Sequence, residues 1–218
     1  MPRFLPTSHE EQRLFRTGVT LVAGVDEVGR GAWAGPVSVG VAVMRAESLE
    51  CLPEGVADSK LLSPHRRELL FSPLCDAVAA FAIGHASPRE CDDLGMTRAQ
   101  RLATSRAFSQ LDEVDAVIVD GRVDFADRPN TRAIIGADRL CISVAAASVL
   151  AKVTRDRMMA ELAPEYPAYA FDRNKGYPSP QHRSALERFG LTDLHRKSWS
   201  FAPTYARGAV LAPSSCKR

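Results

Sequence analysis

The sequence has none of the segments that would carry the chain into or across a membrane. No apolar run follows a basic head at its start, so we expect no signal peptide. No stretch approaches the roughly 20 consecutive apolar residues that a membrane-spanning helix needs. These absences predict a cytoplasmic protein without membrane contact.

Cysteine is scarce, and the cysteines are far apart. The 218 residues include five cysteines, and no two of them form a CxxC pair. This spacing argues against a zinc site and for a reducing compartment. The five are Cys51, Cys75, Cys91, Cys141 and Cys216.

Neither sign of charge dominates, but the charges are unevenly distributed. Residues 152–218 carry twelve Lys and Arg against six Asp and Glu, whereas residues 1–151 carry sixteen against twenty. An acidic first part and a basic last part suit a protein that holds cations in one place and a polyanion in another. Ordinary variation between solvated faces explains the asymmetry equally well.

Hydrophobic periodicity predicts an α/β fold. Residues 37–43 alternate valine with small residues, which is typical of a strand, and the short connection from a strand over 20–26 favours antiparallel pairing. Residues 116–120 form a short apolar run typical of a strand buried on both faces. Ser8 and Glu11 have the spacing of a helix capping box. Further strands are predicted over 77–85 and 131–135, and helices over 63–71, 97–111, 141–162 and 181–189.

The most informative local motif puts two adjacent acids at the end of a predicted strand. Asp26 and Glu27 are followed at once by Gly29, Arg30 and Gly31. Glycines allow a backbone to approach a ligand closely, and an arginine can pair with a phosphate. The same glycines also match a dinucleotide-binding fingerprint, but that motif requires a helix next, and here a strand is predicted.

Two more acids stand at the ends of predicted elements. Asp120 ends the buried strand, and Asp138 precedes the long helix. Taken singly, each has a structural explanation, as a turn-capping or a helix-capping acid. Together with Asp26 and Glu27 they predict a carboxylate cluster, and oxygen-rich sites of this kind select Mg²⁺ or Mn²⁺.

Candidate substrate contacts follow from isolated cations and one aromatic residue. A lysine ammonium can bind a phosphate as a point charge, and a loop tyrosine can stack on a sugar or base. A surface histidine near phosphates is the expected role of the histidines in the basic part. A small serine in the long helix allows close packing, and the two tryptophans are expected to pack. The candidate contacts are Lys60, Lys152, Lys175, Tyr177, His182 and His195, and the packing residues are Ser148, Trp33 and Trp199.

An ordered series of motifs resembles bacterial ribonuclease HII, the type 2 ribonuclease H. The series runs from about residue 19 to residue 201, and its order is far more specific than any one motif. It consists of Asp-Glu-x-Gly-Arg-Gly at 26–31, Ala-Gly-Pro-Val at 34–37, Asp-Ser-Lys at 58–60, Val-Asp-Gly at 119–121, residues 145–156, Lys-Gly-Tyr-Pro at 175–178 and His-Arg-x-Ser at 195–198.

The resemblance implies a ribonuclease H-like fold with a mixed five-stranded sheet flanked by helices. It implies a lead-in over residues 1–17, a catalytic domain over 18–163, a helical substrate-binding part over 164–205 and a flexible tail over 206–218. It also implies that two Mg²⁺ or Mn²⁺ ions are bound by Asp26, Glu27, Asp120 and Asp138.

The family's substrate contacts map onto several positions of this chain. The Gly-Arg-Gly loop would sense the 2′-hydroxyl at the RNA–DNA junction through Gly29, Arg30 and Gly31. Tyr177 would stack on the neighbouring deoxyribose. Further substrate contacts are expected from Lys60, Ser148, Lys152, Lys175, His182 and Arg196. The chain departs from the usual family residues at Ala32-Trp33, Ala137 and Asn174. We expect the first two departures to alter loop shape slightly, and none of the three removes a group needed for cleavage.

The implied activity is hydrolysis of the RNA strand of RNA–DNA hybrids, with cleavage 5′ of single ribonucleotides embedded in duplex DNA. Two-metal catalysis would leave 3′-hydroxyl and 5′-phosphate ends. The implied roles are removal of ribonucleotides from DNA and of RNA primers, by a monomer in the cytoplasm. A junction resolvase on the same fold and a non-enzymatic nucleic-acid-binding module are the alternatives.

Overall fold

A computed structural model describes residues 5–205 of the chain. The expected tail over 206–218 lies outside these residues, as does the start of the lead-in. None of the described helices is long and apolar enough to cross a membrane. The division into domains stays a prediction.

The core is one mixed sheet of five strands. They are β1 (Val22–Val28), β2 (Val37–Met44), β3 (Ala80–Ala86), β4 (Ala116–Asp120) and β5 (Thr131–Ile134). Their order across the sheet is β3-β2-β1-β4-β5. The pairs β1–β2 and β2–β3 are antiparallel, whereas β1–β4 and β4–β5 are parallel. The predicted five strands and the predicted β1–β2 pairing are therefore confirmed.

Helices cover both faces of the sheet. The ten α-helices among residues 5–205 are α1 (His9–Phe15), α2 (Ser48–Cys51), α3 (Pro64–Ala77), α4 (Pro88–Leu94), α5 (Met96–Phe108), α6 (Ala137–Leu140), α7 (Ile142–Leu162), α8 (Phe171–Asn174), α9 (Pro180–Phe189) and α10 (Ala202–Tyr205). Single 3₁₀ turns occupy Ser59–Leu61, Ala163–Glu165 and Pro167–Tyr169. The four predicted helices are present, and the one predicted over 63–71 continues to Ala77.

Glycines in the strands let two helices approach the sheet closely. A Cβ at Gly24 of β1 would lie 2.2 Å from the backbone carbon of Ser143 in α7. A Cβ at Gly84 of β3 would lie 1.9 Å from the carbonyl oxygen of Ala103 in α5. The alanine-rich helix α7 and the helix α5 thus pack on opposite faces of the sheet, and each covers a hydrophobic core.

The predicted capping box at Ser8 and Glu11 is wrong. Ser8 precedes α1, but its side chain makes no capping hydrogen bond. Glu11 is fully buried, and its carboxylate accepts hydrogen bonds from the amide of Ser143 at 2.9 Å and from its hydroxyl at 2.6 Å. The acid therefore caps the N-terminus of α7, where backbone amides lack helical partners.

The C-terminal part packs through a separate aromatic cluster. Trp33, from the loop before β2, stacks on Phe201 with ring centroids 4.3 Å apart. Tyr169 and Phe171 are also stacked, at 5.6 Å. Aromatic pairs at such distances add stability beyond the area they bury. This cluster fixes residues 163–205 against the loop that follows the two adjacent acids, as expected for packing tryptophans.

Candidate active site

Asp26 and Glu27 lie near the end of β1 and point to opposite faces of the sheet, as neighbouring strand residues do. Asp26 is 3% exposed and accepts a hydrogen bond from the Glu27 amide at 2.8 Å. Burial raises the pKa of Asp26 well above its usual value, and the nearby Glu27 carboxylate adds to the rise. Burial likewise raises the pKa of Glu27, which receives a hydrogen bond from Gln100 at 3.3 Å.

The parallel pairing of β1 with β4 brings the third acid to the same edge. Val25 pairs with Val119, so Asp120 follows at the level of Asp26 on the neighbouring strand. Carboxyl ends of parallel strands are where sites form in α/β sheets. The Asp120 carboxylate accepts a hydrogen bond at 2.7 Å from the amide of Ala137, the first residue of α6. Asp120 therefore also caps the N-terminus of that helix.

The fourth acid lies in α6 and does not cap the long helix. Asp138 is 4% exposed, and burial, followed by repulsion from Asp120, raises its pKa. Lys60 is its cationic neighbour, with Nζ 3.6 Å from Oδ2 of Asp138. The Lys60 charge also favours the ionised forms of Asp26 and Glu27.

The four acids repel one another, and their side chains do not converge on one metal position. Among residues 5–205, no three His, Cys, Asp or Glu side chains form a ready-made ligand group. Buried carboxylates that raise one another's pKa values create a demand for counter-cations. The exposed side chains of Lys60, Arg30 and Arg139 meet this demand in part, and the pKa values stay raised. An all-carboxylate donor set of this kind fits a hard divalent cation better than a soft one.

A single cleft of about 360 Å³ collects most of the predicted substrate contacts beside these acids. It is lined by Glu27, Val28, Gly29, Arg30, Gly31, Ser59, Lys60, Lys152 and Tyr177. These residues come from four distant parts of the chain. The cleft therefore combines one of the acids, the glycine-rich loop, two lysines and an aromatic ring, a set suited to a phosphate backbone.

The glycine-rich loop and Tyr177 are joined directly. The backbone amide of Gly29 donates to the Tyr177 hydroxyl at 3.1 Å, and the φ angle of Gly29 is 82°, a conformation that favours glycine. The charged groups of Lys152 and Arg155 each lie 5.5 Å from the centre of the Tyr177 ring. These contacts hold the ring at the cleft wall.

Gln100 is a site residue that the sequence analysis missed. It is 3% exposed, and its amide lies between Arg30, which donates to it at 3.5 Å, and Glu27, to which it donates. It thereby connects the loop arginine to one of the acids. No motif marks a glutamine inside α5, so only the packing of α5 against the sheet could reveal it.

Three of the expected substrate contacts are buried and need correction. His182, Arg196 and Ser148 are at most 1% exposed, so none lies on the surface where a substrate could touch it. The expected surface histidine is therefore wrong for His182, and also for His195, which is 1% exposed. Ser148 donates to the hydroxyl of Ser59 at 2.8 Å. Its side chain also lies next to Asp26 and partly offsets the rise in the pKa of that acid.

The two remaining lysines sit at the margin of the site. Lys152 lines the cleft, but its ammonium pairs with Asp156 at 2.7 Å. Lys175 lines the adjacent groove and donates to the carbonyl of Asp172 at 2.5 Å. Each ammonium group has three N–H donors, so donors remain for a backbone phosphate beside these partners.

The three departures from the usual family residues have structural explanations. Ala32 and Ala137 are fully buried, and Trp33 stacks in the aromatic cluster. Asn174 donates to the carbonyl of Tyr169 at 2.6 Å and accepts from the amide of Gly176 at 2.8 Å. Asn174 thus shapes the turn that presents Tyr177.

Comparisons with known proteins identify the family of the chain. Residues 23–202 match the family model described as Ribonuclease HII. A ribonuclease HII of Streptomyces griseus is 52% identical over 209 residues, which cover 93% of this chain and 87% of the relative. A ribonuclease HII of Streptomyces avermitilis is 50% identical over 200 residues, covering 90% and 84%.

The fold of the chain is also similar to that of a solved structure. The ribonuclease H2 of Pyrococcus horikoshii OT3 superposes with a TM-score of 0.75 at 32% identity, over 85% of this chain and 97% of that one. Sequence and fold thus point to the same family. The chain belongs to the ribonuclease HII family, and it is a hydrolytic endonuclease of the ribonuclease H type, active on RNA–DNA hybrids.

Proposed function

We propose that this enzyme also cuts duplex DNA on the 5′ side of a single embedded ribonucleotide and leaves 3′-hydroxyl and 5′-phosphate ends. The observation that carries the proposal is the shared cleft, in which the Gly-Arg-Gly loop and Tyr177 lie beside Glu27, one of the four acids. A loop that senses a 2′-hydroxyl, beside a ring that stacks on the next sugar, suits a junction between RNA and DNA.

We further propose that Asp26, Glu27, Asp120 and Asp138 bind two divalent cations, Mg²⁺ or Mn²⁺. Bound ions would supply an activated water and stabilise charge on the leaving oxygen. The protein's own part is to hold the carboxylates together at one edge of the sheet, where the Lys60 charge partly offsets their repulsion. Because burial and mutual repulsion raise the pKa values of Asp26, Glu27 and Asp138, these groups gain most from a cation.

The rest of the cleft would bind and orient the nucleic acid. Lys60 and Arg30 provide cationic groups for phosphates, and Tyr177 provides the stacking surface. Contacts to phosphate position the duplex without reading its sequence, so the enzyme would act at many sequences. The roles in ribonucleotide removal from DNA and in RNA primer removal follow from this specificity. The monomeric state and the cytoplasmic location stay predictions.

Cleavage of a labelled DNA duplex with one ribonucleotide tests the proposal. With Mg²⁺ we expect one cut on the 5′ side of the ribonucleotide, and without it none. Asp26→Asn should abolish cleavage while hybrid binding persists, because a carboxamide cannot replace an anionic ligand. Asp76→Asn is the matched control, since Asp76 is exposed in α3 and precedes β3 at the opposite sheet edge.

The outcomes separate the proposal from its alternatives. Mg²⁺-dependent cleavage that survives in Asp26→Asn would refute the assignment of Asp26. A cut on the 3′ side of the ribonucleotide would refute the proposed products. Efficient cleavage of an all-DNA four-way junction would instead identify a junction resolvase.

A further inference from the structure

Two buried arginines lie beneath the Gly-Arg-Gly loop. Arg155 and Arg196 are both 0% exposed. Within residues 5–205, their guanidinium hydrogen bonds go to backbone carbonyls and none goes to a carboxylate. Burying a cation without an anionic partner is costly. The many hydrogen bonds to carbonyls therefore indicate that the two arginines have a specific structural role.

Arg196 holds two consecutive carbonyls of the loop. Its guanidinium donates to the Arg30 carbonyl at 2.8 Å and to the Gly29 carbonyl at 2.6 Å, with a third contact to Gly35 at 3.2 Å. The Gly29 carbonyl also accepts from the amide of Ala32 at 3.2 Å, so residues 29–32 form a β-turn. The planar guanidinium is a rigid fork that fixes both carbonyls together.

Fixing the carbonyls also orients the amides of the turn. In a planar trans peptide the N–H points away from the carbonyl of the preceding residue. The carbonyls of Gly29 and Arg30 face Arg196, so the amides of Arg30 and Gly31 face the other way. Neither amide has a hydrogen-bond partner in the described part of the chain, and both residues line the cleft.

The segment that carries Arg196 is itself anchored. Asp92 in α4 accepts hydrogen bonds from the amide of Lys197 at 2.7 Å and from the amide of Ser198 at 2.9 Å. The Arg196 guanidinium lies 4.7 Å from the ring centre of Trp199. Its Nε is buried without a partner, so the side chain satisfies the loop carbonyls at the expense of one of its own donors.

We propose that Arg196 is a positioning residue for ribonucleotide recognition, which it serves by holding the amides of Arg30 and Gly31 toward the cleft. The proposal rests on the function proposed above and adds the residue that gives the loop its selectivity. A 2′-hydroxyl offers an acceptor to such amides, whereas a deoxyribose does not. Arg155 donates to the carbonyls of Ala34 and Pro36 and so holds the residues that follow the loop.

The test compares a duplex containing one ribonucleotide with the same duplex made only of DNA. Binding is measured by fluorescence anisotropy with Ca²⁺ in place of Mg²⁺, and kcat and KM are measured separately with Mg²⁺. Arg196→Gln should lose the binding preference for the ribonucleotide and lower kcat by about 100-fold, as expected for a misplaced recognition element. Its KM should change far less, because the phosphate contacts remain.

Arg45→Gln is the matched control and should keep the preference and both constants. Arg45 is exposed and follows β2 at the sheet edge opposite the acids, so it removes the same charge without touching the loop. Arg196→Lys keeps the charge but cannot span two carbonyls. It should lose part of the preference, and it decides the question if Arg196→Gln does not fold, as judged by circular dichroism.

A wild-type protein without any preference for the ribonucleotide would contradict the proposed function itself. A wild-type preference that persists unchanged in a folded Arg196→Gln or Arg196→Lys would instead overturn the positioning role of Arg196. A uniform loss of affinity for both duplexes, at constant kcat, would also overturn it, since this would show a merely electrostatic effect.

Discussion

The buried histidine pair of the C-terminal part should make the stability of the fold sensitive to mild acid. The backbone amide of Thr192 donates to Nδ1 of His195 at 2.9 Å, so this nitrogen carries no proton. The Nε2 proton of His195 must then point to Nε2 of His182, 3.0 Å away. His182 in turn donates from Nδ1 to the carbonyl of Tyr177 at 2.9 Å. Every ring nitrogen is used, and both rings are neutral.

Adding a proton to this chain breaks a hydrogen bond in a buried site. Burial lowers the pKa of His182, and burial together with the neighbouring His182 lowers the pKa of His195 to about 3. In the unfolded chain a histidine has a pKa of about 6.5. Between these values the unfolded state binds more protons, so the free energy of unfolding falls as the pH falls.

The magnitude follows from linkage. His195 alone should lower the free energy of unfolding by about 1.4 kcal/mol between about pH 7.5 and about pH 5.5, with the loss growing as the pH falls further toward 3. His195→Gln removes this titration. The variant is less stable at neutral pH, and its deficit relative to wild type should shrink by the same amount over this interval.

Urea unfolding followed by far-ultraviolet circular dichroism measures both proteins in a common buffer series. Carboxylates titrate in both proteins alike, so the difference between the two curves reports the titration of the histidine pair. Parallel curves across the interval would show that His195 titrates with the same pKa in the folded and the unfolded protein. The neutral hydrogen-bond chain deduced here would then be wrong.

Two further predictions concern packing and substrate stacking. Gly84→Ala should destabilise the protein by about 1–3 kcal/mol or more, because its Cβ would lie 1.9 Å from the carbonyl oxygen of Ala103 and α5 would have to move. Gly31→Ala, with nothing within 4 Å of its Cβ, should change stability by less than about 0.5 kcal/mol, and equal thermal melting of the two variants would contradict the argument. Tyr177→Ala should lower kcat/KM at a single embedded ribonucleotide by roughly 10-fold or more, because stacking on a base or sugar contributes about 1–3 kcal/mol. Tyr177→Phe should retain most of that rate since it keeps the ring and loses only the hydrogen bond from Gly29, and an unchanged rate in Tyr177→Ala would remove the residue from the site.

Periodicity was sufficient to predict the strands because alternating and wholly apolar runs are local patterns of the sequence. The alternation along β2 and the apolar run of β4 predicted strands with bounds close to those observed, and the alanine-rich run predicted α7. Short elements such as α6 and α8 were missed. Four residues cannot form a stable helix by themselves, so tertiary contacts decide their structure.

The acids were predictable for a similar reason. Each stands at the end of a strand or helix, and the parallel pairing of β1 with β4 brings Asp120 to Asp26 with little freedom. The acids' distance from one another in sequence does not matter once the strand order is known. What the pattern could not show is their electrostatic setting, because the Gln100 amide reaches Glu27 from a helix that no motif marks. The motif that contains Lys60 likewise does not show that its ammonium lies beside Asp138.

The basic C-terminal part shows where inference from composition fails. A run such as His195-Arg196-Lys197 is normally solvated, so its cations were expected to meet phosphates. Only Lys197 is exposed, whereas Arg196 turns inward to carbonyls 161 to 167 positions away in sequence. Burying a guanidinium is favourable only where several acceptors already converge, and that convergence exists only after the loop, α7 and the aromatic cluster have assembled. The same charge therefore acts on substrate indirectly, through the shape of a loop, and sequence alone cannot distinguish this from direct contact.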